Sequence, residues 1–404
     1  MQTKILVINS GSSSIKFELY RMPEKKVDAK GLLQRIGEET SELKYRLGDK
    51  ETVVKQRVKD HAEGLKMIMA RLTDQTQGGL KDVSEIGAVG HRVVHGGEAF
   101  SDSVLITDEV VKAIEDHCEL APLHNPPNLL GINVARQLMP GVPQVAVFDT
   151  AFHQTIPEHA FLYAIPYELY KESRIRRYGF HGTSHKYVTM RAAQILGKKV
   201  SETNVITCHL GNGCSMAAVK GGKSIDTTMG LTPLEGLVMG TRSGDIDPAI
   251  IYFLERARKM TIAEIDNMLN KKSGLLGISG SSNDVRSVMK AASEGNKRAE
   301  LALAIYCYRI KKRVGAYTAT IGKVDAVVFT AGVGENAVAI RSRVLEGMEP
   351  LGYCIDKAKN EQAVGKEMDI ATEKSPIRIL VIPTAEELMI AQDTFEIAFT
   401  QKAS

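Results

Sequence analysis

The stretch Ile5-Leu6-Val7-Ile8-Asn9-Ser10-Gly11-Ser12-Ser13-Ser14-Ile15-Lys16 runs a β-branched apolar segment into a turn of small polar residues, and a second strand-like segment, residues 14–20, follows it. The same order returns later in the chain. There Val205-Ile206-Thr207-Cys208 leads into His209-Leu210-Gly211-Asn212-Gly213 and then into residues 215–219. Val205 stands 200 positions after Ile5, about half of the 404 residues. Two similar halves with a cleft between them is one reading. Coincidence is the other, because strand-turn-strand units are common. Further short apolar runs at 86–89, 145–148, 326–329 and 377–382 predict strands. Helical periodicity covers 62–72, 186–196, 249–258 and 301–321, with Gly197 and Gly322 at the stop positions of two of these. Strands alternating with helices predict an α/β fold. Gly221-Gly222, between residues 217–220 and 223–227, reads as a tight hairpin turn, so the sheets are expected to be mixed.

Composition narrows the function classes. Lys plus Arg number 52 and Asp plus Glu 48, a formal charge of +4. Spread over the chain, that balance gives no reason to propose a nucleic-acid or membrane-surface partner. Aromatic residues make up 5% and Trp is absent, which argues against a base-stacking platform. No apolar run approaches the ~18 residues of a membrane span, and the N-terminal run is too short for a secretory signal. Cys118, Cys208, Cys214, Cys307 and Cys354 are an odd number without CxxC spacing and read as free thiols of a reducing cytosol.

Several motifs carry possible chemistry. In Asn9 to Lys16, glycine admits an anion close to the backbone, while hydroxyls and an ammonium line it. The turn reads as a polyphosphate cradle or as a plain polar hairpin, and it is not a Walker A loop. Gly332-Val333-Gly334-Glu335-Asn336-Ala337 fits the dinucleotide pattern GxGxxG/A, with Asp356 a poor candidate for the ribose acid. A turn that packs flat against a base or phosphate fits equally well. His181 and His185 have i,i+4 spacing, yet Gly182 lies between them and no HExxH glutamate is present, so a catalytic His on a loop is the better reading than zinc. Thr183 or Ser184 is expected to cap the next helix. Arg242, among small polar residues before a helix, suits forked binding of phosphate or carboxylate, and Arg92 is a comparable case; a solvated arginine is the plain alternative. Asp149 follows an apolar strand, where catalytic acids of α/β proteins gather. Thr384 and Glu387 fit a capping box, leaving Glu386 spare to orient hydrated magnesium.

Together these motifs resemble the acetate kinase family, in the superfamily that includes sugar kinases, heat-shock chaperone ATPases and actin. The match runs nearly end to end: Asn9 to Lys16, Gly90-His91-Arg92-Val93-Val94-His95-Gly96-Gly97, Pro122-Leu123-His124-Asn125-Pro126, Val147-Phe148-Asp149-Thr150-Ala151-Phe152-His153, Tyr178-Gly179-Phe180-His181-Gly182-Thr183-Ser184-His185, His209 to Gly213, Met239-Gly240-Thr241-Arg242-Ser243-Gly244-Asp245, Ser282-Asn283-Asp284-Val285-Arg286 and Phe329 to Asn336. One departure is Ala385, where the family usually has Asn; Glu386 is kept.

The resemblance implies an α/β fold of two duplicated actin-like or ribonuclease H-like domains with mixed sheets flanked by helices, closing on a cleft, in a cytoplasmic homodimer. Residues 1–150 would form the substrate-side domain, completed by a C-terminal helix at 387–404, and residues 151–386 the nucleotide domain. The implied reaction is reversible phosphorylation of acetate by ATP to acetyl phosphate and ADP with Mg²⁺, for which Mn²⁺ could substitute; propionate kinase is the near alternative. By the same resemblance, Ser12, Ser14 and Lys16 sit on the phosphate side, and Asn9 and Glu386 place the metal. His209, Leu210, Gly211, Asn212 and Gly213, with Asp284, Val285, Arg286, Gly332, Val333, Gly334, Glu335 and Asn336, hold ATP. Arg92 binds the carboxylate, and Val94, Leu123, Phe180 and Pro233 form its methyl pocket. Asp149, His181 and Arg242 are the implied catalytic residues. Acetate is already ionised at neutral pH and needs no general base, so Asp149 reads as an orienter of metal or arginine. A dinucleotide-dependent dehydrogenase would leave the first 320 residues without a role. A non-catalytic ATP-binding module of the actin kind would have no use for Arg92, His181 and Arg242 together.

Overall fold

The structure, a computed structural model, describes residues 2–74, 76, 78–118, 121 and 124–400. The chain divides into two compact units, Met1–Phe152 with Ala385–Ser404, and His153–Thr384. The first unit holds β1 (Thr3–Ser10), β2 (Ser14–Met22), β3 (Lys26–Gln34), β4 (Ser41–Leu47), β5 (Lys50–Gln56), β6 (Ile86–Val93), β7 (Val104–Leu105) and β8 (Gln144–Phe148). They form one sheet in the order β5-β4-β3-β2-β1-β6-β8-β7. The second unit holds β9 (Val205–Leu210), β10 (Cys214–Lys220), β11 (Lys223–Thr227), β12 (Ala326–Thr330), β13 (Met368–Asp369) and β14 (Arg378–Val381), in the order β11-β10-β9-β12-β14-β13.

The two sheets share one plan. β1 pairs antiparallel with β2 and parallel with β6. β9 pairs antiparallel with β10 and parallel with β12. β8 extends the first sheet in parallel and β14 the second, and each carries a short antiparallel edge strand, β7 or β13. The echo between residues 5 and 205 is therefore a duplicated fold and not chance. The Gly221-Gly222 turn joins β10 to β11, with φ of 57° and 73°, a backbone region open to glycine. The first unit adds β4 and β5, which show no apolar run in sequence because Lys44, Arg46 and Lys55 interrupt the strands.

β1 shows why the central strands read as unbroken apolar runs. Leu6 and Ile8 pack with Leu65 and Ile68 of helix His61–Leu72 and with Val134 and Ala135 of helix Asn125–Leu138. Ile5 and Val7 point to the other face, against Ile390 and Ala391 of helix Glu386–Phe395. A strand buried on both faces needs an apolar residue at every position, and each contributes about 1.5–3 kcal/mol. Gly90 of β6 makes room for that last helix, since a Cβ there would lie 2.3 Å from Thr394 Oγ1.

Two expected helix caps are not formed. Helix Gly182–Ile195 begins two residues earlier than a Thr183 cap requires and three earlier than a Ser184 cap; its N-cap is His181, with no side-chain capping bond. Helix Glu386–Phe395 has Ala385 at its N-cap, and no capping box. Tertiary partners took the side chains instead: Thr384 Oγ1 lies 2.9 Å from Ser184 Oγ, and Glu387 pairs with Lys16.

Candidate active site

In the first unit, the turn between β1 and β2 places Asn9 opposite Lys16 in register. Gly11 N donates to Ser14 O at 2.8 Å, which leaves Ser12 exposed at the apex and Ser14 half-buried beneath it. The ring of His61 holds the turn from outside, with Nε2 2.6 Å from Gly11 O. Arg92 ends β6, and Asp149 follows the neighbouring strand β8. Parallel pairing puts them side by side: Arg92 Nη2 donates to Asp149 Oδ2 at 2.6 Å, and Nε donates to both carboxylate oxygens at 3.2 Å. This two-point grip fixes the guanidinium plane. The outer Nη1 makes a longer contact, 3.4 Å, to Asn9 Oδ1. Burial works against the Arg92 charge, but Asp149 outweighs it and, with Glu386 and Glu387, holds the guanidinium above its usual range.

Helix Asn125–Leu138 shapes the neighbouring backbone. Asn128 accepts from Val94 N at 3.1 Å and donates to Ser10 O at 2.7 Å, tying the residue after β6 to the end of β1. Val94 is buried. Leu123 lies outside the described residues. Glu386 begins the last helix of this unit, and burial pushes its carboxyl up to about 7, opposed by Arg92 and reinforced by Asp149 and Glu387. Among the described residues, no group of three or more His, Cys, Asp or Glu side chains could hold a metal ion unaided.

The second unit gathers imidazoles. His181 takes a left-handed backbone, φ 56°, a strained conformation for a non-glycine residue and one that concentrates at functional sites. Its ring stacks on His209 from β9, centroids 4.1 Å apart. His185, one turn on, is fully buried and held well below the ordinary imidazole range by burial and by His153 and His209. Ser215 Oγ bridges His181 Nδ1 at 2.8 Å and His185 Nε2 at 2.9 Å. Arg242 aims at the same place as His181. A Cβ on Gly213 would sit 3.5 Å from Arg242 Nη1 and 3.6 Å from His181 Nε2. Arg242 Nη1 also reaches Pro233 O at 3.5 Å, while Phe180 is buried with its carbonyl 3.0 Å from His153 Nε2. Burial lowers the Arg242 pKa from its ordinary value.

A cavity of about 760 Å³ opens in this unit, lined by Gly211, Asn212, Asp284, Val285, Arg286, Gly332, Val333 and Asn336. That volume is in the range of small-ligand pockets. Asp284 caps helix Val285–Ser293 through Arg286 N and Ser287 N and pairs with the Arg286 side chain. Met289, Ala337, Val338 and Ala339 also line the cavity and were not singled out by the sequence. Met289 sits one helical turn after Val285, and that i,i+4 spacing was the available signal. His209, Leu210, Gly213, Gly334 and Glu335 are not among its lining residues. Leu210 is buried in β9, Gly334 packs against Phe329 and Cys208 O, and Glu335 accepts from Thr384 N at 2.9 Å. Asp356, the acid a dinucleotide site would need, caps helix Lys357–Gln362 through Lys359 N at 3.1 Å.

Comparison with known proteins identifies the family. The acetokinase family profile matches residues 4–392. The acetate kinase of Clostridium botulinum is 56% identical over 394 residues, 98% of this chain and 99% of that protein. The crystal structure of Porphyromonas gingivalis acetate kinase superposes with a TM-score of 0.94 at 49% identity, covering 98% of this chain and 99% of that one. A propionate kinase from Francisella tularensis superposes with a TM-score of 0.92 at 46% identity, covering 98% and 100%. The chain is an enzyme, a kinase, and it belongs to the acetokinase family.

Proposed function

We propose that the chain transfers the γ-phosphoryl group of ATP to acetate, reversibly, by direct in-line attack of the carboxylate on phosphorus. The observation that carries this reading is the Arg92 grip: a guanidinium locked by Asp149, two residues before the buried Val94, suits a small carboxylate with a short apolar tail. Acetate arrives ionised, so no residue removes a proton. Arg92 binds it and Asp149 orients Arg92. The nucleotide occupies the cavity at Asp284 to Arg286 and Gly332 to Asn336, and Lys16, Ser12 and Ser14 meet phosphate oxygens. His181 and Arg242 donate to the oxygens of the transferring group, where charge spreads in the transition state.

The first unit suits Mg²⁺. Burial raises the Glu386 carboxyl, with Arg92 and Lys16 opposing and Asp149 and Glu387 adding to the rise, so a cation bound beside these acids would offset the cost of their charge. Asn9 and Glu386 would hold a magnesium that keeps most of its waters and shares phosphate oxygens. When bound, it supplies positive charge to the phosphates; Mn²⁺ could substitute. A second reading keeps the chemistry and prefers propionate, favoured by the likeness to a propionate kinase. A homodimer follows the same reading: helix Ala249–Arg258 leaves Tyr252 and Phe253 61% and 60% exposed, an apolar face suited to a second copy. Among the described residues, no helix is long and apolar enough to cross a membrane.

The test is acyl-phosphate formation with Mg-ATP, trapped by hydroxylamine, with acetate, propionate and butyrate in parallel. Fastest turnover with acetate is expected. Fastest turnover with propionate would move the assignment to the second reading. Folded protein that binds ATP and makes no acyl phosphate would overturn both.

A further inference from the structure

The hydroxyls behind the two stacked imidazoles decide where the ring hydrogens sit. His181 Nδ1 lies 2.8 Å from Ser215 Oγ, the same oxygen lies 2.9 Å from His185 Nε2, and His185 Nδ1 lies 2.7 Å from Thr207 Oγ1. Thr207 and Ser215 are fully buried. Among the described residues, Thr207 Oγ1 makes no other hydrogen bond. A buried hydroxyl with one partner turns its hydrogen toward it, because a stranded donor costs more than an unused lone pair. Thr207 therefore donates to His185 Nδ1. His185 is buried and neutral, so its one ring hydrogen is on Nε2 and goes to Ser215 Oγ. The Ser215 hydrogen then points at His181 Nδ1, which leaves the His181 hydrogen on Nε2. A charged His181 would reverse every bond of this chain and strand the Thr207 hydrogen.

A second chain runs beside the first. Thr384 Oγ1 lies 2.9 Å from Ser184 Oγ, and Ser184 Oγ lies 2.8 Å from His209 Nδ1. Among the described residues, Thr384 Oγ1 likewise has one hydrogen-bond partner. Ser184 is fully buried and Thr384 only half-buried, so the direction of this chain is part of the proposal: Thr384 donates to Ser184, Ser184 donates to His209 Nδ1, and the His209 hydrogen is on Nε2. The two rings are stacked within 19° of parallel.

We infer that Thr207–His185–Ser215 and Thr384–Ser184 are positioning relays that hold His181 and His209 as neutral rings with the hydrogen on Nε2, presenting two neighbouring N–H donors to phosphate oxygens. Phosphate oxygens under transfer accept hydrogen bonds and offer none, so a ring whose Nε2 hydrogen is fixed in advance loses nothing to reorientation. The purpose of the relays rests on the phosphoryl-transfer reading; their geometry and their test do not.

The experiment uses full-length protein labelled with ¹⁵N-histidine, studied by long-range ¹H–¹⁵N correlation spectra at neutral pH without nucleotide. His181→Asn and His209→Asn assign the two rings. Both are expected to show a protonated Nε2 and a bare Nδ1. Ser215→Ala should release the His181 tautomer alone, and Ser184→Ala that of His209 alone. Each should lower kcat about tenfold with the KM for acetate little changed, the lower end of what partners behind a metal-bound imidazole contribute. Thr207→Ser keeps the hydroxyl and should keep the unmodified pattern. A hydrogen on Nδ1, or on both nitrogens, of His181 in the unmodified protein overturns the inference, and so does an unchanged tautomer in Ser215→Ala. The unmodified spectrum decides even where a variant fails to fold. Absence of acyl phosphate alongside the expected spectra would sink the phosphoryl-transfer reading and leave the relays standing.

Discussion

Arg92, in the first unit, is gripped at two points by the buried Asp149, whereas Arg242, in the second, meets Pro233 O at 3.5 Å and Met239 Sδ at 3.8 Å and, among the described residues, no carboxylate. Acid neighbours hold the first guanidinium above its ordinary range despite burial. Burial lowers the second, with the Cys214 thiol opposing weakly. A guanidinium paired to a carboxylate is fixed in direction and has given up part of its field. One buried without an acid keeps its field for an incoming anion and is held by its loop. That loop is well anchored: Met239 N donates to Arg242 O at 3.1 Å, Leu275 N to Met239 O at 2.9 Å and Ser273 N to Thr241 O at 2.9 Å. On the proposed mechanism, the contrast suits Arg92 to holding the ground-state carboxylate and Arg242 to meeting charge in the transition state.

The largest expected effect follows directly. Arg242→Ala should lower kcat by ~10²–10⁴ in the hydroxylamine assay, because it removes charge stabilisation felt mainly in the transition state. A change confined to KM would erase the distinction between the two arginines. Asp149→Asn comes next. With its grip gone, kcat/KM for acetate should fall roughly 10²-fold, the scale of breaking a desolvated charge pair. The Mg²⁺ concentration giving half-maximal rate should not move; a large rise there would make Asp149 a metal residue. Glu386 gives a pH signature. Its carboxyl is raised from the ordinary 4.5 to about 7 in the folded chain, so folding favours the protonated form. That contribution is intact at low pH and is lost as pH climbs through the interval, up to about 3 kcal/mol. Metal-free protein should therefore have a lower denaturation midpoint at about pH 8 than at about pH 5, and Glu386→Gln should flatten the difference. An unchanged slope would show that Glu386 ionises normally. The smallest effect belongs to Val94→Ala, which should raise the propionate-to-acetate ratio of kcat/KM by about tenfold, as one methylene allows. No change in the ratio would remove Val94 from the acyl pocket.

The duplicated hairpins were legible because β1 and β9 are buried on both faces and so are apolar at every position. Partly exposed β4 and β5 carry the weaker alternating pattern, in which Glu42, Lys44 and Arg46 share the strand with Leu43, Tyr45 and Leu47. The site was legible where a residue type announces its chemistry, as Arg92, Asp149, His181 and Arg242 do. The hydroxyls behind the imidazoles were not, since Ser215 and Thr207 look in sequence like any small strand residue. Arg341 is the extreme case. Fully buried, it donates to the carbonyls of Gly334, Glu335, Asn360 and Ala363 and to Asn360 Oδ1, bracing the turn that lines the cavity. Nothing in Ile340-Arg341-Ser342 distinguishes it from a surface arginine. The misread capping box at Thr384 and Glu387 shows the converse: a local pattern yields when Ser184 and Lys16 offer each side chain a tertiary partner.

The return of helix Glu386–Phe395 to the first unit sets an order of events during synthesis. Residues 1–152 are made before the second unit, yet the groove over Ile5, Val7, Ala88 and Val147 stays uncovered until Ile390 and Ala391 arrive. The nascent first unit thus presents a greasy strip to its surroundings while the whole second unit is being made. Glu386 rides in on the same helix. The acid next to Arg92 and Asp149 arrives only after the whole second unit, so a chain interrupted before residue 386 lacks it.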